Sequence, residues 1–314
     1  MGVFVKCQER PHQEMPPAHR KGDMTNTPET SVPILSGAGR LLSQYDAIFC
    51  DVWGVLHNGV QPYAAAGEAL ARFRAAEGVV VLVSNAPSPS EMVAKMLDRI
   101  GVRRDAWDAI ITSGDLTRAY LQERQYRFIH HIGSPRDMRI FAGLPVEHVA
   151  LERAAAIVCT GVADASQTAE IYRPILARGI ELALPFVCGN PDLVVEIGGK
   201  LLPCAGAVAT LYEQMGGDVY WAGKPHAPAY AAAHQLAERV RERSIERKRI
   251  LAIGDAVRTD LVGAANYGVD CLLVAHGIHR DELLRGHEVH PERLEQLLQS
   301  TPHRPIAAMA ALAW

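Results

Sequence analysis

Five residues constrain this chain more than any others: Val79-Val80-Val81-Leu82-Val83, an unbroken apolar run bounded by Gly78 and by Ser84-Asn85. β-Branched residues lose side-chain freedom in a helix and pack well on a pleated surface, and the run is too short for a helix. A strand that is apolar at every position has no face to offer water, so both of its faces must be covered. Related runs lie at Ala47–Cys50, Ala109–Thr112, Val219–Ala222, Arg249–Ile253 and Val269–Val274. Segments of helical spacing fall between them. Ala66–Ala76 carries Leu70 and Phe73, and Ser88-Pro89-Ser90-Glu91 opens a stretch with Met92, Met96, Leu97 and Ile100 that Gly101 closes. Asp115–Gln125, Pro228–Arg243, Asp260–Tyr267 and Glu292–Gln299 continue the rhythm. Buried strands alternating with amphipathic helices predict an α/β fold, a parallel sheet with helices on both faces.

The rhythm is not continuous. Between residues 126 and 211 it becomes irregular and rich in Gly and Pro, which predicts an α/β domain inserted into a core formed by residues 36–125 and 212–314. Residues 1–35 have no apolar period and read as a mobile tail, in which Met24 offers an alternative start. Met1–Cys7 is too short for a signal peptide, and no apolar run reaches membrane-spanning length. Lys plus Arg number 32 against 35 Asp plus Glu, a balance that gives no reason to expect nucleic acid or an anionic membrane as partner. Six scattered cysteines without a C-x-x-C pair argue against disulfide staples and a thiolate zinc site, and for a reducing cytoplasm.

Parallel sheets gather ligands at the carboxyl ends of their strands. After Ala47–Cys50 comes Asp51-Val52-Trp53-Gly54-Val55-Leu56; after Val79–Val83 comes Ser84-Asn85. After Val219–Ala222 come Gly223-Lys224-Pro225, and after Arg249–Ile253 come Gly254-Asp255, with Asp260 five residues on. A single Asp at a strand end ordinarily caps a turn or helix. Two carboxylates, a hydroxyl, an amide and an ammonium ending four strands make a site.

Those residues, in that order, resemble the four motifs of the haloacid dehalogenase-like superfamily. The insertion after the second motif, with Gly189-Asn190-Pro191-Asp192 inside it, is similar to the class IIA capped phosphatases that act on nucleotide monophosphates, phosphoglycolate and pyridoxal phosphate. The resemblance implies a Rossmann-like core under an α/β cap, a small phosphate ester as substrate, Mg²⁺ as cofactor and room for a homo-oligomer through the cap. It implies Asp51 as nucleophile, with Mg²⁺ on Asp51, Asp255 and the Trp53 carbonyl. Lys224, Ser84, Asn85 and Gly54 would hold the phosphoryl group, Asp260 would support the site, and Asn190 and Asp192 would meet the leaving group. The chemistry is coherent, since a phosphate dianion repels an attacking carboxylate unless cations offset the charge, and Mg²⁺ prefers oxygen ligands. Gly54 lets the backbone approach the phosphate closely, with the amides of the Trp53–Gly54 turn as donors.

One position departs from the pattern. The superfamily's phosphatases carry a second Asp, the acid/base, two residues after the nucleophile; here it is Trp53. His57 and His226 are the nearest titratable candidates for the role, against bland readings as a loop residue and a helix opener. Two alternatives stay open: a phosphate- and Mg²⁺-binding regulatory protein with negligible turnover, and a metal-independent dehalogenase. Dehalogenases carry their cap after the first motif, whereas here only residues 52–83 separate Asp51 from Ser84. Other features read as structural. Cys50 is a core residue, His130-His131 begins or ends a strand, Gly37-Ala38-Gly39 precedes a strand and so is no dinucleotide fingerprint, and Arg239–Arg249 is a solvated helix face.

Overall fold

Every residue from Val79 to Ser84 is buried, because the strand they form is second from the edge of a sheet covered on both sides. The computed structural model describes residues 31–164, 168–197 and 200–314. In chain order its strands are β1 (Ala47–Cys50), β2 (Val79–Ser84), β3 (Ala109–Thr112), β4 (Phe128–Ile132), β5 (Glu147–His148), β6 (Ala156–Cys159), β7 (Phe186–Cys188), β8 (Val194–Ile197), β9 (Lys200–Pro203), β10 (Val219–Trp221), β11 (Ile250–Gly254), β12 (Asp270–Val274), β13 (Leu284–Arg285), β14 (Glu288–Val289) and β15 (Ala307–Met309). The first sheet is parallel throughout, in the order β15-β12-β11-β1-β2-β3. Alternation along β2 fills two cores at once. Val81 and Val83 pack with Phe49, Tyr230 and Ala252 on one face, and Val80 and Leu82 pack with Ile48, Leu70 and Leu97 on the other. The helices around this sheet start and stop where local chemistry dictates. Ser90–Ile100 ends at Gly101 with φ +90°, and Ser113–Glu123 begins at a reciprocal Thr112–Asp115 capping box.

A second sheet, also parallel, has the order β10-β7-β6-β4-β5. Ile157, Cys159, Phe186 and Tyr212 form the core on one of its faces, while Ile129, Val158 and Val187 form that on the other with Leu121. It lies wholly between β3 and β11 in the chain. Here the boundary read from the sequence is corrected. Val219–Trp221 is not a strand of the first sheet: it pairs with β7, and Ala205–Gln214 packs in the same core. An edge strand of three half-buried residues looks the same in sequence whichever sheet it joins, since its partner is chosen by tertiary contact.

The tail is corrected as well. Val32 is buried, Ile34 bridges Ala308, the Leu35 amide donates to the Ala308 carbonyl at 2.8 Å, and the Ala308 amide donates to the Pro33 carbonyl at 2.8 Å. Residues 32–35 therefore extend the sheet edge at β15 through main-chain bonds, which leave no side-chain period to read. Residues 1–30, with Met1–Cys7 and Met24, lie outside the described residues. His130 and His131 sit inside β4. The Arg-rich run is not merely solvated, because Arg241 and Arg249 both pair with Asp46, at 3.3 and 3.1 Å. Five cysteines, Cys50, Cys159, Cys188, Cys204 and Cys271, are buried and free. Among the described residues, no helix is long and apolar enough to cross a membrane.

Candidate active site

Two parallel sheets have two sets of carboxyl ends, and both sets open onto one cavity of about 1140 Å³. From the first sheet come Asp51 after β1, Ser84 and Asn85 after β2, Asp255 and Asp260 after β11, and the loop at Gly277 after β12. The second sheet supplies residues after β4 and β6, Asn190 and Asp192 after β7, and Lys224 after β10.

At the floor, the Lys224 ammonium donates to Asp51 Oδ1 at 2.5 Å and to Asp260 Oδ1 at 2.6 Å, with the lysine side chain 3% exposed. Burial works against the ammonium, yet Asp260 and Asp51 outweigh it and hold the group protonated. Burial pushes the Asp51 carboxyl up while Lys224 pulls it back down. Asp255 is pushed well above the carboxylate range by burial and then by Asp51 and Asp260, against the Ile278 amide, which donates to its Oδ2 at 2.7 Å. Asp51, Asp255 and Asp260 bring one carboxylate oxygen each within 4.8 Å of one another. Fully ionised, three carboxylates against one ammonium leave an excess of two negative charges. An all-oxygen, doubly anionic, buried donor set fits a hard dication such as Mg²⁺. Asp260 spends Oδ1 on Lys224 and Oδ2 on the Ala256 amide, so it orients the lysine.

The neighbours explain the local sequence. Gly54 has φ +82°, and a Cβ there, as on Gly277, would overlap the Asp255 carboxylate. The Gly54 amide donates to the His57 carbonyl at 2.9 Å, so that glycine provides space, and the expectation that its N–H faces a phosphate is corrected. For Asn85 the correction concerns the side chain. Its Nδ2 donates to Asp192 Oδ1 at 2.9 Å and the Lys224 carbonyl at 3.0 Å, while its Oδ1 accepts the Lys224 amide at 2.8 Å. With both side-chain donors spent, the Asn85 carboxamide clamps the Lys224 backbone to the end of β2 and has no proton left for a ligand. Ser84 Oγ accepts from the Ala86 amide and keeps its hydroxyl proton to donate. Asn190 shapes its loop, accepting the Asp192 amide at 3.1 Å.

The two histidine candidates fail on position. His57 is completely buried; its Nδ1 accepts from the Gly59 amide at 2.8 Å, its ring meets the edge of Trp53, and burial lowers its pKa to about 4. His226 stacks on Trp221, and burial lowers its pKa as well. Neither reaches the cavity wall, which Trp53 does line. The sequence reading missed Ser134 and Asp137 after β4, Thr160 after β6, and His276 after β12, all on the wall. The strand-end rule would have found the first three, had β4 and β6 been recognised as parallel strands, and it reaches His276 from the strand already read at Val269–Val274.

Comparison with known proteins places this geometry. A model described as haloacid dehalogenase-like hydrolase matches residues 48–147, and one described as HAD-hydrolase-like matches residues 221–299. A haloacid dehalogenase-like hydrolase of Brucella suis 1330 has a solved structure similar over 89% of this chain and 100% of its own, with 42% identity and a TM-score of 0.78. A possible sugar phosphatase of Cytophaga hutchinsonii shares the fold at 20% identity, over 88% of this chain and 97% of its own, with a TM-score of 0.71. A dihydroxyacetone phosphatase of Corynebacterium glutamicum (strain R) is 29% identical over 107 residues, 34% of this chain, and the match spans only 37% of that relative's length.

Proposed function

Because the chain belongs to the haloacid dehalogenase-like hydrolase family, we propose that it is a Mg²⁺-dependent phosphatase that transfers the phosphoryl group of a small phosphate monoester to Asp51 and then to water. The observation that carries this reading is Lys224, a buried ammonium wedged between Asp51 and Asp260 at the floor of a cavity walled by both sheets. Asp51 attacks phosphorus through the oxygen not committed to Lys224 and forms an aspartyl phosphate. Lys224 neutralises the phosphoryl oxygens as a fixed point charge, and the Ser84 hydroxyl donates to them. Asp51, Asp255 and the Trp53 carbonyl would hold Mg²⁺, which supplies charge neutralisation when bound. Asn85 and Asp260 keep the lysine in place.

The substrate belongs to the small sugar or polyol phosphates. The dihydroxyacetone phosphatase relative supports this over the third of the chain it matches, and the polar cap residues Ser134, Asp137 and Thr160 suit hydroxyl-bearing leaving groups. The buried free thiols suit a reducing cytoplasm, and a homo-oligomer through the cap belongs to the same proposal. A panel of phosphate esters assayed with Mg²⁺ and with chelator tests it. Turnover requires the cation, and Asp51→Asn lowers it by several orders of magnitude. An Asp51→Asn variant as active as wild type, contaminants excluded, would refute the assignment.

Trp53 alone favours a second reading, a regulatory protein that binds phosphate and Mg²⁺ without turning over. Phosphate binding with no ester in the panel hydrolysed would select it. The dehalogenase reading predicts halide release in chelator; the insertion between β3 and β11, after the second motif, speaks against it.

A further inference from the structure

Phosphate ester cleavage needs a proton for the leaving oxygen, and the indole at position 53 has none to give near neutral pH. In-line displacement puts the leaving oxygen on the far side of phosphorus from the nucleophile. Asp51 sits at the end of β1, so that far side is the part of the cavity bounded by cap loops. Asp137, a carboxyl on the cap wall, already accepts from the Ser134 amide, the Ser134 hydroxyl and Thr160 on Oδ2 and pairs with Arg136 at 3.8 Å through Oδ1. His276 lies on the core side, and burial, with Arg280 beside it, disfavours its protonated form.

Asp192 differs from both. It stands in the loop after β7, on the cap side of the cavity. Asn85 Nδ2 donates to its Oδ1 at 2.9 Å and also to the Lys224 carbonyl at 3.0 Å, so one amide ties this cap carboxyl to the backbone carrying the floor ammonium. Among the described residues, its Oδ2 makes no hydrogen bond. We propose that Asp192 is the general acid and base of this enzyme, delivered by the cap to the place that Trp53 leaves without a proton donor.

The inference rests on the phosphatase reading above. Electrostatics supports it. Burial, helped by the charge of Asp260, raises Asp192 from its ordinary value against the opposing pulls of Asn85, Lys224 and Arg258, the direction a general acid needs. In the first step Asp51 bonds to phosphorus, the P–O ester bond breaks, and its electron pair takes the proton from Asp192 Oδ2, releasing the alcohol. In the second, the Asp192 carboxylate takes a proton from water as the water oxygen bonds to phosphorus. The bond to Asp51 breaks, phosphate leaves, and Asp192 is again protonated.

Asp192→Asn is isosteric and keeps an acceptor for Asn85. With the Mg²⁺-loaded enzyme, an alkyl ester such as glycerol phosphate should lose about 10²- to 10⁴-fold in kcat/KM. p-Nitrophenyl phosphate, whose phenolate leaves without a proton, should keep its burst and then turn over slowly as phosphoenzyme accumulates. An equal loss on both esters, burst included, would mean that Asp192 only positions Asn85, and an unchanged alkyl rate would also overturn the proposal. A second measurement needs no variant. In the wild type, kcat/KM should vary shallowly across esters of graded leaving-group pKa, and a steep dependence would show that no proton is delivered. A wild type inert toward every ester with Mg²⁺ would instead sink the phosphatase reading, and this proposal with it.

Discussion

Replacing Lys224 with Met asks what one buried charge contributes to both stability and catalysis. The ammonium is 3% exposed and lies 2.5 and 2.6 Å from two carboxylates. Solvent therefore screens it little, and its removal leaves Asp51 and Asp260 facing Asp255 without an ion-pair partner among the described residues. Removing one partner of a buried ionic cluster costs about 3–5 kcal/mol, unlike replacement of the whole cluster by apolar groups, which is often neutral. We expect urea unfolding in chelator to show a loss of that size for Lys224→Met. Adding Asp260→Asn should return part of it, because one of the stranded charges is gone. Saturating Mg²⁺ should narrow the gap, by supplying positive charge to the same carboxylates. Activity on p-nitrophenyl phosphate should fall at least 10²- to 10³-fold, roughly the worth of one charge-stabilising group at a developing transition state. A Lys224→Met protein within about 1 kcal/mol of wild type in chelator would refute the reasoning, since the carboxylates would not then depend on the ammonium.

Gly277→Ala should displace the Asp255 carboxylate, because the new Cβ overlaps it; the expected result is a raised Mg²⁺ requirement for turnover, read from a metal titration, with little change in fold. Arg249, through its hydrogen bonds, holds Asp46 below the usual carboxylate range. Its contribution is therefore present above about pH 4 and is lost as the pH falls through the folded value. Asp46→Asn should cost roughly 0.5–1 kcal/mol near neutrality, and the gap should close in acid, as thermal melts across pH will show. A chain starting after Leu35 should melt below one starting at Ser31, because it loses the two main-chain bonds to Ala308 and the burial of Val32; equal melting temperatures would mean that this edge adds nothing.

The elements of the first sheet were legible because their signals are local. A run such as Val79–Val83 can only be a strand covered on both faces, Gly101 can end a helix by taking φ +90°, and a residue that follows such a strand emerges at the ligand end of the sheet. Asp51, Ser84, Lys224 and Asp255 were candidates on that ground alone. What the sequence could not decide was partnership. Val219–Trp221 has the same composition whether it pairs with β7 or with a core strand, so the inserted domain was cut short at residue 211. Asn85 was read as a phosphate ligand, yet tertiary contact with Lys224 and Asp192 uses both protons of its side-chain amide. His57 and His226 were near the site in sequence, but burial and stacking against Trp53 and Trp221 turn them from the cavity. Chain pattern fixes what each strand is and which end carries chemistry. Which sheet it joins, and whether a polar group meets a ligand or another residue, depends on contacts between separate elements, 107 and 139 positions apart for Asn85, and only the packed structure brings those together.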